Sequence, residues 1–239
     1  MRALTALFDS LDPRTVVAVF GGIGLLTVYA YQGQAEFFTS RLAPGMDLGV
    51  WAPWAAESWQ FGAAFVLMGL VPALWFRFGQ GRPLAEMGLC LGDWRFGLRF
   101  VGVAALALAI PLWFNAGSTA FQAEYPLAKL ATRSWRLLVA WECCYAVYYL
   151  GWEALFRGFW QLGQHRHLGL FGALALQAAA STVLHVGKPQ GEFAAAVVAG
   201  LVFGLLAVRT RSILYVFLLH WCVGAMTDLF CALRAGALG

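Results

Sequence analysis

The chain has 239 residues, of which 61% are hydrophobic and 12% charged, with a formal net charge of +4. A soluble domain carries about 25% charged residues and 45–50% apolar ones. So little charge excludes an ordinary water-soluble domain, a disordered chain and a nucleic-acid binder, and it points to a polytopic membrane protein.

A helix needs about 20 mostly apolar residues to cross the hydrocarbon core. In chain order such blocks run over 16–31, 61–76, 98–114, 137–159, 168–186, 193–208 and 213–233. They predict an all-α, polytopic transmembrane helix bundle of seven spans, or eight if the fourth block begins as a separate short segment. Residues 51–59, rich in tryptophan, predict an added interfacial helix. There is no fixed-period repeat and no room for a soluble domain, so 1–239 reads as one integral-membrane domain. Five cysteines without a CxxC spacing argue against a zinc ribbon or a thioredoxin-like site.

Basic residues between the blocks set topology. Nine fall on one side: Arg2, Arg14, the four arginines from Arg77 to Arg99, Arg166, Arg209 and Arg211. Six fall on the other: Arg41, Lys129, Arg133, Arg136, Lys188 and Arg234. The excess predicts a cytoplasmic N-terminus and, with seven spans, a C-terminus on the opposite face.

The informative residues are the ionisable ones inside apolar blocks, because a charge near a helix centre costs roughly 2.5–3.5 kcal/mol on insertion scales. They are Glu142, Glu153, Arg157, His185, His220 and Asp228, with Lys188 and Glu192 at a span boundary. Glu153 and Arg157 stand at i and i+4, the spacing of an ion pair on one helix face. Glu142 lies near the start of its span and is expected to reach the interface. His185 closes the fifth block before a Gly- and Pro-containing turn that holds Lys188 and Glu192. His220 lies several residues from any loop. Two histidines and a glutamate from three helices suit the activation of water. The same three, Glu153, His185 and His220, form a possible zinc set, although the HExxH spacing is missing.

These residues also form a pattern. Trp-Glu-Ala-Leu-Phe-Arg-Gly-Phe at 152–159 resembles the Glu-Glu-x-x-x-Arg motif of the CPBP (CAAX protease and bacteriocin-processing, or Abi) intramembrane proteases. Ser-Thr-Val-Leu-His at 181–185 is similar to the second motif in its histidine, and His220 matches the histidine of the third. Met87-Gly-Leu, and Gly200-x-x-x-Gly204 followed by Arg-Thr-Arg-Ser-Ile at 209–213, resemble supporting elements of the family. The resemblance covers about 87–233.

The resemblance implies a peptidase in which Glu153 and Arg157 take the motif-one positions, His185 orients water and His220 serves the oxyanion. Trp152 stands where the first glutamate is usual, and Gly224 where an asparagine is usual. One branch of the family has Trp-Glu in motif one, His-x-x-Lys-Pro-x-x-Glu in motif two and a late aspartate. By that pattern Glu192 or Glu153 supplies the carboxylate and Asp228 the polar partner. The implied function is hydrolysis of a membrane-associated protein or peptide, such as a C-terminal tag or leader, with no cofactor. The alternative is an inactive relative acting as a membrane scaffold or immunity protein. The expected partners are a membrane peptide or protein and the lipid bilayer, with no nucleic acid. An Ala-, Gly- and Arg-rich composition with two lysines suggests a high-GC bacterium and its inner membrane.

Overall fold

The computed structural model describes residues 12–238, which form helices and no strand. Arg2, counted above as a topology signal, lies outside them. Local chemistry sets where the helices begin. The Asp12 carboxylate accepts from the Thr15 N–H at 2.8 Å and opens α1 (Pro13–Gln32), whose first residue is a proline with no N–H to satisfy. Asp93 caps α3 (Trp94–Asn115), and Ser134 caps α5 (Trp135–Glu153). Between α1 and α3 runs α2 (Gly49–Gly79), a continuous 31-residue helix. The expected interfacial helix at 51–59 is therefore the first turns of α2, because no helix breaker separates it from the apolar run. Within α2, Pro72 withholds an N–H, and π-helical turns at Phe65–Leu70 and Trp75–Gly79 flank it.

A short helix, α4 (Thr119–Glu124), follows α3. Helix α5 runs on through a π-helical stretch, Ala154–Leu162, into α6 (Gly163–Val183). The chain breaks at Gly169, where φ is +69°, a conformation that suits glycine. Then come α7 (Gln190–Thr210) and α8 (Leu214–Arg234). Five helices, α1, α2, α3, α7 and α8, are long and apolar enough to cross a membrane. The remaining two long helices, α5 and α6, sit where the fourth and fifth spans were expected and carry more polar side chains.

The stretch where α5 runs on into α6 is the centre of the bundle, with every residue from Gly151 to Gln164 buried. Each neighbour is tied to it. The Trp160 indole donates to the Ala18 carbonyl of α1 at 3.0 Å, and the Trp141 indole donates to Asp228 of α8 at 2.8 Å. Helix α7 is held by two side-chain amides. Gln161 of the π-helical stretch donates to the Gly204 carbonyl and Gln177 of α6 to the Gly200 carbonyl, each at 2.8 Å. The GxxxG spacing of α7 makes this reach possible, since a Cβ at either glycine would press into Ala178, or into Leu174 and the two glutamines. By contrast α3 buries only Gly97, while Val103, Leu106 and Ile110 are 65–77% exposed. So continuous an outward-facing apolar surface suits contact with lipid, in keeping with the length and hydropathy of α3.

Helix α2 crosses α5 at Gly151, where a Cβ would lie 2.7 Å from the Ala64 carbonyl oxygen and from the Phe65 Cα. Both are backbone atoms, so the helices must part. We expect Gly151→Ala to destabilise the protein by about 1–3 kcal/mol, as overpacking does. Thermal unfolding of the purified protein in detergent checks this, and an unchanged Tm contradicts the close crossing.

Eight of the arginines assigned to one side gather at the end of the bundle where α1 begins. Ion pairs knit this end together: Arg82 and Arg166 both reach Glu86, at 2.8 and 3.5 Å, and Arg209 reaches Asp93 at 2.7 Å. The hydrogen bond from Arg209 holds the Asp93 carboxyl below the usual carboxylate range. At the other end Lys188 pairs with Glu124 at 2.5 Å, tying the turn between α6 and α7 to α4.

Candidate active site

Glu153 is the last residue of α5 before the π-helical stretch, and its carboxylate is fully buried. Its Oε1 accepts from Arg157 at 3.3 Å and from the Nδ1 of His220 at 2.6 Å. A carboxylate only accepts, so the proton of this bond is on Nδ1, and the Nε2 of His220 is the nitrogen left for chemistry. Arg157 is 2% exposed and supplies the countercharge that lets an ionised carboxylate remain there. The predicted i, i+4 pair therefore forms. Spacing alone gave no sign of the third member, which comes from α8.

His185 lies in the turn just beyond α6. Its Nδ1 meets the Ser181 carbonyl at 2.7 Å, which places the proton on Nδ1 and leaves Nε2 as an acceptor. Glu192 is in the first turn of α7, where the helix dipole favours an anion. Its Oε2 accepts from the Tyr125 hydroxyl at 2.6 Å.

Two cavities meet at these side chains. One, of about 450 Å³, opens towards the end of the bundle that holds α4, and it is lined by Glu36, Glu57, Glu124 and Lys188 among others. The other, of about 160 Å³, lies between α3, α7 and α8 and is walled by apolar residues such as Leu112, Ala199 and Val223. The walls common to both are Tyr125, Tyr149, His185, Glu192 and His220. A polar chamber and an apolar slot thus share two imidazoles and a carboxylate. This combination can bring water to a group carried in by an apolar chain.

Trp152 stands beside this junction, 3% exposed, with its ring edge-on to His185 at 5.6 Å and to His220 at 6.4 Å. It forms part of the wall of the polar chamber and leaves the chamber open.

Glu153 lines neither cavity, and its Oε1 is taken by Arg157 and His220. Of the two glutamates considered, Glu192 is the one at the junction. Asp228 is not a partner of His220: eight residues further on, it is about 12 Å along the axis of α8 and turned by roughly 80°. Its Oδ2 accepts from Trp141, and it lies beside Glu142. Glu142 in turn does not reach the interface, since both of its carboxylate oxygens are buried. As for zinc, no three His, Cys, Asp or Glu side chains are gathered as a metal requires among the described residues.

Two residues at the junction went unnoticed in the sequence. Tyr149 lies four residues before Glu153, so helical spacing from the motif would have placed it on the same face. Tyr125 gives no comparable signal, because its segment has no periodicity.

Residues 132–226 match the family model described as type II CAAX prenyl endopeptidase Rce1-like. Comparison with curated proteins and with solved structures found no match. The matched segment holds Glu153, Arg157, Tyr149, His185, Glu192 and His220, while Tyr125 of the junction lies outside it. Residues 132–226 are thus similar to the Rce1-like family, which is consistent with the CPBP resemblance of the motifs they hold.

Proposed function

We propose that the protein is an intramembrane endopeptidase that hydrolyses a peptide bond of a membrane-associated protein or peptide. The observation that carries this reading is the junction itself, where a polar chamber and an apolar slot share His185, Glu192 and His220. The chamber supplies water, and the slot accepts an apolar peptide from the lipid side.

Water held between the Glu192 carboxylate and the Nε2 of His185 attacks the carbonyl carbon and gives a proton to Glu192. The carbonyl oxygen becomes an oxyanion and is met by protonated His220, which donates from Nε2. Glu153 holds Nδ1–H, the arrangement that orients an imidazolium, and Arg157 balances the charge of Glu153. As the C–N bond breaks, the proton on Glu192 passes to the leaving nitrogen. The second proton of the original water follows as the new acid ionises, giving a carboxylate and an ammonium.

The arginine-rich end of the bundle belongs in the cytoplasm by the positive-inside rule. The chamber then opens on the opposite face of a bacterial inner membrane, and a C-terminal tag or other transmembrane peptide is the substrate class. The test is a terminal-peptide mass-spectrometry comparison of cell envelopes from a deletion strain carrying either the wild-type gene or His185→Ala. We expect uncleaved termini to accumulate with His185→Ala and to name the substrate. Identical termini at equal protein level would remove the hydrolase reading and leave a binding or scaffolding protein.

A further inference from the structure

Helix α8 turns a glycine, Gly224, towards Tyr149 of α5, and a Cβ at that position would collide with the Tyr149 hydroxyl. The space next to His220 on its own helix is therefore occupied by a phenol delivered from the neighbouring helix. The Tyr149 ring lies 4.6 Å from the His220 ring, and Tyr149 lines both cavities. Its hydroxyl is thus one turn of α8 from the imidazole that meets the oxyanion, at the junction where the carbonyl would sit.

We propose that Tyr149 is a catalytic residue whose hydroxyl donates a second hydrogen bond to the oxyanion, beside the Nε2 of His220. On this view Gly224 has no side chain so that the phenol can reach that position. The proposal rests on the endopeptidase reading above. It follows from the chemistry of a tetrahedral intermediate, whose oxygen takes on a full negative charge and is best met by more than one preorganised donor. A neutral phenol supplies that donor with no change in its proton count: it lends the hydrogen bond and keeps the proton.

The test uses the full-length protein in detergent and the substrate identified by the envelope comparison. Tyr149→Phe keeps the ring and removes the donor. We expect kcat to fall by about 10²- to 10³-fold, the effect of losing one oxyanion donor. KM should change by less than about threefold, since the contact forms only in the transition state.

Rescue separates this role from packing. Tyr149→Ala empties the volume, and Gly224→Asn added to it places an amide N–H donor in the same space. The double variant is expected to turn over at least about tenfold faster than Tyr149→Ala alone, a recovery of part of the donor effect. Wild-type kcat in Tyr149→Phe, or equal rates in Tyr149→Ala with and without Gly224→Asn, would overturn the proposal. In either case the endopeptidase reading survives as long as His185→Ala blocks processing. If His185→Ala processes normally, that reading fails and this one fails with it.

Discussion

Replacing Glu192 by glutamine is expected to slow processing by about 10²- to 10⁴-fold, the range lost with a positioned proton acceptor. The substitution keeps the size of the side chain and leaves a carbonyl oxygen to accept from Tyr125, which now donates to Glu192 at 2.6 Å. The fold should therefore be unaffected, and the purified variant should unfold at the wild-type Tm. The rate of formation of the processed terminus is the measurement. A wild-type rate would remove Glu192 from the site and leave His185 without a carboxylate partner.

Glu153→Gln should damage both stability and activity, by separate routes. Arg157 would remain buried without a countercharge, and breaking a buried pair by removing one partner costs about 3–5 kcal/mol. His220 would lose the carboxylate that fixes its Nδ1, and misplacing a catalytic group costs on the order of 10²-fold in rate. Combining Glu153→Gln with Arg157→Met removes both charges, and the apolar side chain fills the space of the guanidinium. The double variant is expected to recover most of the lost Tm and none of the lost rate. Thermal unfolding and the processing rate, measured on the same preparations, decide the matter. If Glu153→Gln leaves both unchanged, the link from Arg157 through Glu153 to His220 has no energetic weight.

The helices were legible because their apolar runs are long and their caps are ordinary, as with Asp12, Asp93 and Ser134. Their joins were harder to read. The Trp51–Trp59 segment looked like a separate interfacial piece, yet nothing in it stops a helix, so it continues into α2. Polar residues were legible as anomalies and their partners were not. Glu153 and Arg157 were paired by spacing, but His220 lies 67 residues from Glu153 and joins them only when α8 packs on α5. Glu142 was placed by its position along its own helix and Asp228 by the family pattern, and neither shows that the two side chains meet between α5 and α8. Tyr125 reaches Glu192 from a short segment whose sequence shows no pattern at all.

The two glutamine bonds to α7 act as a depth gauge. Gln161 and Gln177 grip backbone carbonyls, at Gly204 and Gly200, so they register residue positions along α7. Glu192 stands eight residues before the nearer of these marks, a distance of about 12 Å at the helical rise. Substitutions on the lipid-facing side of α7 leave that distance untouched. Inserting or deleting one residue between the gauge and the carboxylate shifts Glu192 by about 1.5 Å and swings it through roughly 100°, away from His185. The stretch from 192 to 204 is therefore free in composition along its outer face and constrained in length.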